Sequence, residues 1–217
     1  MIYIYFAYQS EKNHESLLKS VLPNFPHDFQ KKIMRYKRWQ DAQLSLLGRI
    51  LLYKGAEEIY GYNLNEKEIK YTKYNKPYFE DNLIRFNISH SDEIVVCALS
   101  NQYEIGIDIE IIADFELDNF RFQMTESERY NIEQSQSSKD AFFEYWTQKE
   151  AVIKAHGHGL TVPLKSFEIF DHKTEINNEK FYLKEIKIDK KYKCHISLKT
   201  NIGKIYLKEE MIKNLIF

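Results

Sequence analysis

The sequence predicts an α+β chain built from two similar halves that meet near residue 104. Three observations predict it. Two helical stretches open on Asp-Ala, at Asp41-Ala42 and Asp140-Ala141, and each closes near a glycine, Gly61 and Gly157. Strand-like segments follow each helix. Ile105, Ile107, Ile109 and Ile111 then alternate strictly, as a new strand beginning a second unit would. The expected division is therefore 1–104 and 105–217.

The elements follow in order. Residues 1–8 alternate as a strand. Residues 28–61 read as one long helix, because Ala42, Leu46, Leu47, Ile50, Leu51 and Lys54 recur at helical spacing and Gly61 supplies a stop. Residues 66–74 are charged and strand-like, and Asn75-Lys76-Pro77 signals a turn. The stretch FNISHS (86–91) reads as a polar turn ahead of an apolar strand, 94–99. The strand 105–112 comes next, then a helix over 117–134 and a polar break at 135–139. Residues 140–155 form the second long helix, with Phe142, Phe143, Trp146 and Ile153 on an apolar side and Gly157-His158-Gly159 ending it. Beyond Leu164 four strands are expected, over 166–170, 180–188, 194–198 and 204–211.

Composition bounds the function. The chain has 217 residues, 43% hydrophobic and 29% charged, which suits a globular protein with a sizeable core. A net charge of −1 provides no global field for nucleic acid or membranes. The 16 Tyr and 14 Phe are natural core fillers. Cys97 and Cys194 show no metal or redox spacing, and as buried free thiols they point to a reducing compartment. The start, MIYIYFAYQSEKN, lacks a basic region and its apolar run is too short for a signal peptide. No stretch approaches about 18 uncharged apolar residues. A cytoplasmic protein is expected.

Several residues carry possible chemistry. Asp108 and Glu110 share one side of their strand with Gly106, opposite the isoleucines. That pattern suits either the wet outer face of a half-buried strand or a hard-cation site, since Mg²⁺ takes one or two carboxylates together with phosphates and water. Trp146, Glu150 and Lys154 fall at i, i+4, i+8 and form one stripe. A surface Glu–Lys pair accounts for two of them, but not for the Trp. Ser89 and His90 could cap a turn or bind phosphate as a pair; no acid stands at a spacing that would complete a hydrolase triad. Lys76, in a Pro-fixed turn, could hold an anion. The basic run KKIMRYKR (31–38) is either a solvated face or a phosphate contact. No glycine-rich phosphate loop occurs.

Together, FNISHS, then GIDIE, then WTQKEAVIK resemble in order and spacing the Sfp-type 4′-phosphopantetheinyl transferases. The Asn75-Lys76-Pro77 turn before them and the GLTVPL stretch (159–164) after them also look like that family, so the resemblance spans essentially the whole chain. It implies two α/β halves related by a pseudo-twofold axis, each a small antiparallel sheet packed on a long helix. It implies transfer of the phosphopantetheine arm of coenzyme A to a serine of an apo carrier protein (acyl, peptidyl or aryl), with release of 3′,5′-ADP. Asp108, Glu110 and Glu150 would ligate Mg²⁺, or Mn²⁺ in its place. Lys32, Lys76, Ser89, His90, Asp108 and Lys154 would hold coenzyme A. Glu150, Lys154 and His90 would serve the chemistry, with Glu150 accepting the serine proton directly or through water. The enzyme would act as a cytoplasmic monomer, without nucleic acid or membrane.

Two positions depart from the family pattern. Asn75 stands where Gly is usual, and Asn tolerates the positive φ such a turn needs. Leu44 stands where some relatives are basic, which bears on nucleotide binding. Phe115, Phe120, Phe122 and Met124, with the segment after Gly157, are expected to face the carrier. The same acids would also serve a metal-dependent nucleotide phosphohydrolase, and the basic run a non-catalytic module binding coenzyme A or nucleic acid.

Overall fold

Alternation along the strands decides how the layers stack. A computed structural model describes residues 1–63 and 69–215. In β1 (Ile2–Tyr8), Ile2, Ile4 and Phe6 point one way, while Tyr5 and Ala7 point the other. After α1 (Glu11–Ser16) and α2 (His27–Met34), Tyr5 and Ala7 pack beneath the 22-residue helix α3 (Trp39–Tyr60). A hairpin of β2 (Ile69–Tyr71) and β3 (Pro77–Phe79) leads to β4 (Arg85–Ser91), β5 (Ile94–Ser100) and β6 (Ile105–Ile111). Then come α4 (Glu126–Glu133), α5 (Ser138–His156), β7 (Lys173–Ile176), β8 (Glu179–Glu185), β9 (Tyr192–Leu198) and β10 (Ile205–Glu209).

Two four-stranded sheets result, ordered β10-β1-β5-β4 and β6-β9-β8-β7. Ile2, Ile4 and Phe6 of the first sheet meet Ile105, Ile107, Ile109 and Ile196 of the second in one apolar core. α3 covers the outer face of the first sheet and α5 that of the second, giving a helix–sheet–sheet–helix stack. The two long helices end alike, on left-handed glycines Gly61 (φ 64°) and Gly157 (φ 85°), where a side chain would be strained. This is the two-halved α+β architecture expected. The second sheet is antiparallel, but β10 adds to the first sheet parallel to β1, so the last strand of the chain returns to the first sheet.

The structure corrects several boundaries. The run 28–61 is two helices, separated where Arg38 is extended (φ −99°, ψ 130°). Lys31, Lys32, Arg35, Lys37 and Arg38 crowd like charges there, which a continuous helix would stack one turn apart. FNISHS is not a turn; it is the body of β4, and the turn falls at Asp92. The stretch 117–134 holds only a 3₁₀ turn, Leu117–Phe120, and then α4. Thr125 and Glu128 form a capping box that starts α4, a Thr-x-x-Glu signal present in the sequence. Residues 166–170 are not a strand, and β7 lies further on. Of the strand expected at 66–74, Ile69–Tyr71 is seen, while 66–68 lie outside the described residues. Asn75 does adopt positive φ, 64°. Cys97 and Cys194 are buried and free. Among the described residues no helix is long and apolar enough to cross a membrane.

Gly106 fixes how α5 seats on β6. A Cβ there would lie 2.1 Å from Ala151 O and 2.3 Å from Ala155 N, both backbone atoms of α5. His195, on the neighbouring strand β9, is buried under the same helix. Thr147 Oγ1 donates to Phe143 O (2.7 Å), so it accepts from His195 Nδ1 (2.8 Å). Burial, with Lys193 and His172 adding to it, lowers the His195 pKa to about 3.

Gly106→Ala is expected to displace α5 and cost about 3 kcal/mol or more, read as a fall in melting temperature. Gly203→Ala, with nothing within 4 Å of the added carbon, is expected to be neutral. For His195 the unfolded chain takes up the proton first as pH falls. Stability should therefore drop below about pH 6.5, by roughly 2 kcal/mol between pH 6.5 and 5. Urea midpoints measured across that range should be flatter in His195→Asn by about that amount.

Candidate active site

The site grows from a strand edge. β6 is the outermost strand of its sheet, and β4 lies beside it running the same way, with no backbone ladder between them. Phe86, Ile88 and His90 alternate with Asn87, Ser89 and Ser91, and the second set faces β6. Asn87 Oδ1 accepts from Ile107 N (2.8 Å), and Ser91 Oγ accepts from Ile111 N (3.1 Å). Side chains of β4 thus satisfy edge amides of β6 that would otherwise be buried unpaired. The same serines reach the acids: Ser89 Oγ donates to Asp108 Oδ1 (2.9 Å) and Ser91 Oγ to Glu110 Oε2 (2.7 Å).

The acidic side of β6 is not a wet face. Asp108 is 3% exposed, because α5 closes over Gly106 next to it. Lys154, on that helix, extends Nζ to Asp108 Oδ1 (2.5 Å) and Ser89 Oγ (3.0 Å). Asp108 Oδ2 is buried and, among the described residues, has no hydrogen-bond partner. Glu150, one turn before Lys154, and Glu110 are half-buried. Burial pushes both of their carboxyls above the usual range. Asp108 and Glu150 add to the rise at Glu110, Asp108 adds to it at Glu150, and Lys154 opposes it at both. Three carboxylates thus share one ammonium. Among the described residues no three acids, histidines or cysteines stand together as a ready-made ligand set; in this arrangement the Lys154 amine occupies Asp108.

The remaining predicted residues surround this centre unevenly. His90 opens to solvent at one edge, while the protein crowds its other sides. Burial lowers its pKa, as do Lys154 and Lys32, against Asp41 and Asp108. His90 and Lys32 are both exposed. Lys76 is tied to Glu104 Oε2 (2.7 Å) and lies near Ala155 O (3.4 Å) at the end of α5. With Tyr74, Arg85, His156 and His158 it lines a cavity of about 350 Å³. Leu44 is 3% exposed, in the core under α3, so that position does not face the site.

Of the residues expected to face a carrier, three are packed. Phe115 stacks on Phe142 (4.1 Å), Phe120 meets Trp146 edge-on (5.3 Å), and Met124 is buried. Phe122 is 71% exposed, with the Arg121 guanidinium 4.5 Å from its ring. The sequence reading did not single out Asn87, Ser91 or Lys149. Lys149 is fully buried, bound to Glu128 Oε1 (2.5 Å), Leu164 O (2.9 Å) and Phe167 O, and it anchors α5 to α4. A lysine one residue before Glu150, in a helix otherwise apolar on that side, was the available signal.

Residues 104–204 match the family model of the 4′-phosphopantetheinyl transferase superfamily, and residues 11–102 match that of the N-terminal region of a 4′-phosphopantetheinyl transferase. The chain is 36% identical over 207 residues to 4′-phosphopantetheinyl transferase gsp of Aneurinibacillus migulanus, covering 88% of this chain and 85% of that protein. It is 30% identical over 199 residues to 4′-phosphopantetheinyl transferase Sfp of Bacillus subtilis (strain 168), covering 86% of each. Both matched regions border the β4–β6 seam, and the relatives run through both halves of the fold. The chain belongs to the 4′-phosphopantetheinyl transferase superfamily.

Proposed function

We propose that this chain moves the phosphopantetheine arm of coenzyme A onto a serine of an apo carrier protein, at the seam between β4, β6 and α5. The observation that carries the reading is that α5 brings Lys154 onto Asp108 of β6, with Glu110 and Glu150 half-buried within their electrostatic reach, from two distant stretches of chain. The nucleotide phosphohydrolase and the non-catalytic module are not favoured, because the relatives named above are transferases.

The donor set fits a hard divalent cation. It is all oxygen, it carries more negative charge than Lys154 balances, and Asp108 Oδ2 is a buried acceptor in want of a partner. Asp108, Glu110 and Glu150 would hold Mg²⁺ or Mn²⁺, which would neutralise charge on the diphosphate. Lys154 and Ser89 offer an ammonium and a hydroxyl on the same spot, and His90, Lys32 and Lys76 extend the donors toward the nucleotide. In the reaction the serine oxygen bonds to the phosphorus bearing the pantetheine. The bond from that phosphorus to the bridging oxygen breaks, and 3′,5′-ADP leaves. Glu150 takes the serine proton, directly or through a water. Lys154 stabilises the charge on the departing phosphate.

The halves 1–104 and 105–217 supply complementary parts, β4 from one and β6 with α5 from the other. Both come from a single chain, which supports a monomer. The two buried free thiols support a reducing, cytoplasmic setting. The carrier would dock where Phe122 and Arg121 are exposed, beyond Trp146 on the Glu150 stripe.

Glu150→Gln is expected to lower transfer by about a thousandfold or more without lowering the melting temperature, since a half-buried charge is removed. Intact mass spectrometry of an apo carrier incubated with enzyme, coenzyme A and Mg²⁺ reads this directly. The same assay with EDTA should show no transfer, and wild-type-like turnover by the variant would remove Glu150 from the mechanism. Phe122→Ala is expected to raise the KM for the carrier about three- to tenfold and to leave the Kd of coenzyme A unchanged. Equal losses in both would count against docking at Phe122.

A further inference from the structure

Ser91 has a place in the seam that the reaction above does not use. Its hydroxyl oxygen accepts from Ile111 N (3.1 Å), and its single hydrogen is then directed to Glu110 Oε2 (2.7 Å). The residue is buried, so water does not compete for that hydrogen. Among the described residues, no other group is hydrogen-bonded to the Glu110 carboxylate. Asp108, a shorter side chain, is held twice, by Ser89 and by Lys154. Glu110 has one more rotatable bond and one partner. Left alone, it would have several rotamers to lose on binding a cation.

We propose that Ser91 is a positioning residue that holds Glu110 ready for a divalent cation; this presupposes the metal role proposed above. Ser91 does for Glu110 what Ser89 does for Asp108, and the backbone of Ile111 aims it. Because Ile111 N belongs to the strand that carries Glu110, hydroxyl and carboxylate move together with β6. Asn87 makes the matching contact to Ile107 N at the other end of the seam but touches no carboxylate. It therefore separates holding the strand from holding the acid.

The test titrates Mn²⁺ into the whole protein with saturating coenzyme A and no carrier, and reads free Mn²⁺ by electron paramagnetic resonance against a control of coenzyme A alone. Ser91→Ala is expected to weaken Mn²⁺ binding about 10- to 100-fold, the usual effect of removing a group that orients a metal ligand. Ser91→Thr, which keeps the hydroxyl, should stay within about threefold of wild type, and so should Asn87→Ala. If Ser91→Ala does not fold, Ser91→Cys takes its place with the same expected loss, because a thiol is a poor donor. Wild-type affinity in the Ala or Cys variant overturns the proposal. So does equal weakening in Ser91→Ala and Asn87→Ala, which would mean that Ser91 acts only by holding the strands together. An unmodified protein that binds no Mn²⁺ would instead defeat the metal reading itself.

Discussion

The structure depends on satisfying one strand edge without a neighbouring strand. β6 begins the second sheet and presents amides toward β4. A regular ladder there would fuse the two sheets into one, and no cleft would remain. Asn87 and Ser91 instead accept from the Ile107 and Ile111 amides with their side chains, and Ser89 reaches the Asp108 carboxylate, while the backbones stay apart. Beside that seam Lys154 meets Asp108. Packing and chemistry thus come from the same alternation: polar residues of β4 toward β6, apolar ones toward α3, and isoleucines of β6 toward the shared core.

Energetically the seam is costly, and the surrounding core offsets the cost. Asp108 and Lys149 are both removed from water, and each is paired or held by backbone carbonyls. Such pairs contribute little net stability, yet losing one partner leaves a charge stranded at a cost of about 3–5 kcal/mol. Fully buried residues of both sheets and both long helices, among them Ile4, Leu46, Leu47, Ile107, Val152 and Ile196, supply the favourable term. The ion pairs along the surface, such as Lys19–Glu15, are screened by water and decide nothing.

Much of this was legible in the sequence where residue pattern and burial agree. The strict isoleucine alternation placed β6 and the glycines placed both helix ends, while the pairing of Lys154 with Asp108 was not among the expected contacts. The failures have physical causes. β4 was hidden because its polar side faces protein rather than water, so FNISHS looked like a turn. The wet-face option for Asp108 failed because Gly106 lets a helix come down on that side. Of the aromatics at 115–124, Phe115 and Phe120 are partly buried against α5 and Phe122 is exposed. Lys149, an ammonium at a position where helices bury leucine, could be understood only once Glu128 and two carbonyls were seen around it.

The return of β10 to the first sheet sets an order on how the chain can be completed. Residues 205–209 pair with 2–6, so the first sheet takes its edge strand from a segment that follows the whole second sheet in the chain. Without β10 the outer edge of β1 lies open, and exposed strand edges recruit other chains. The second sheet has no such dependence, because its strands all lie within 105–198. The second sheet can therefore close while the first still lacks its edge strand.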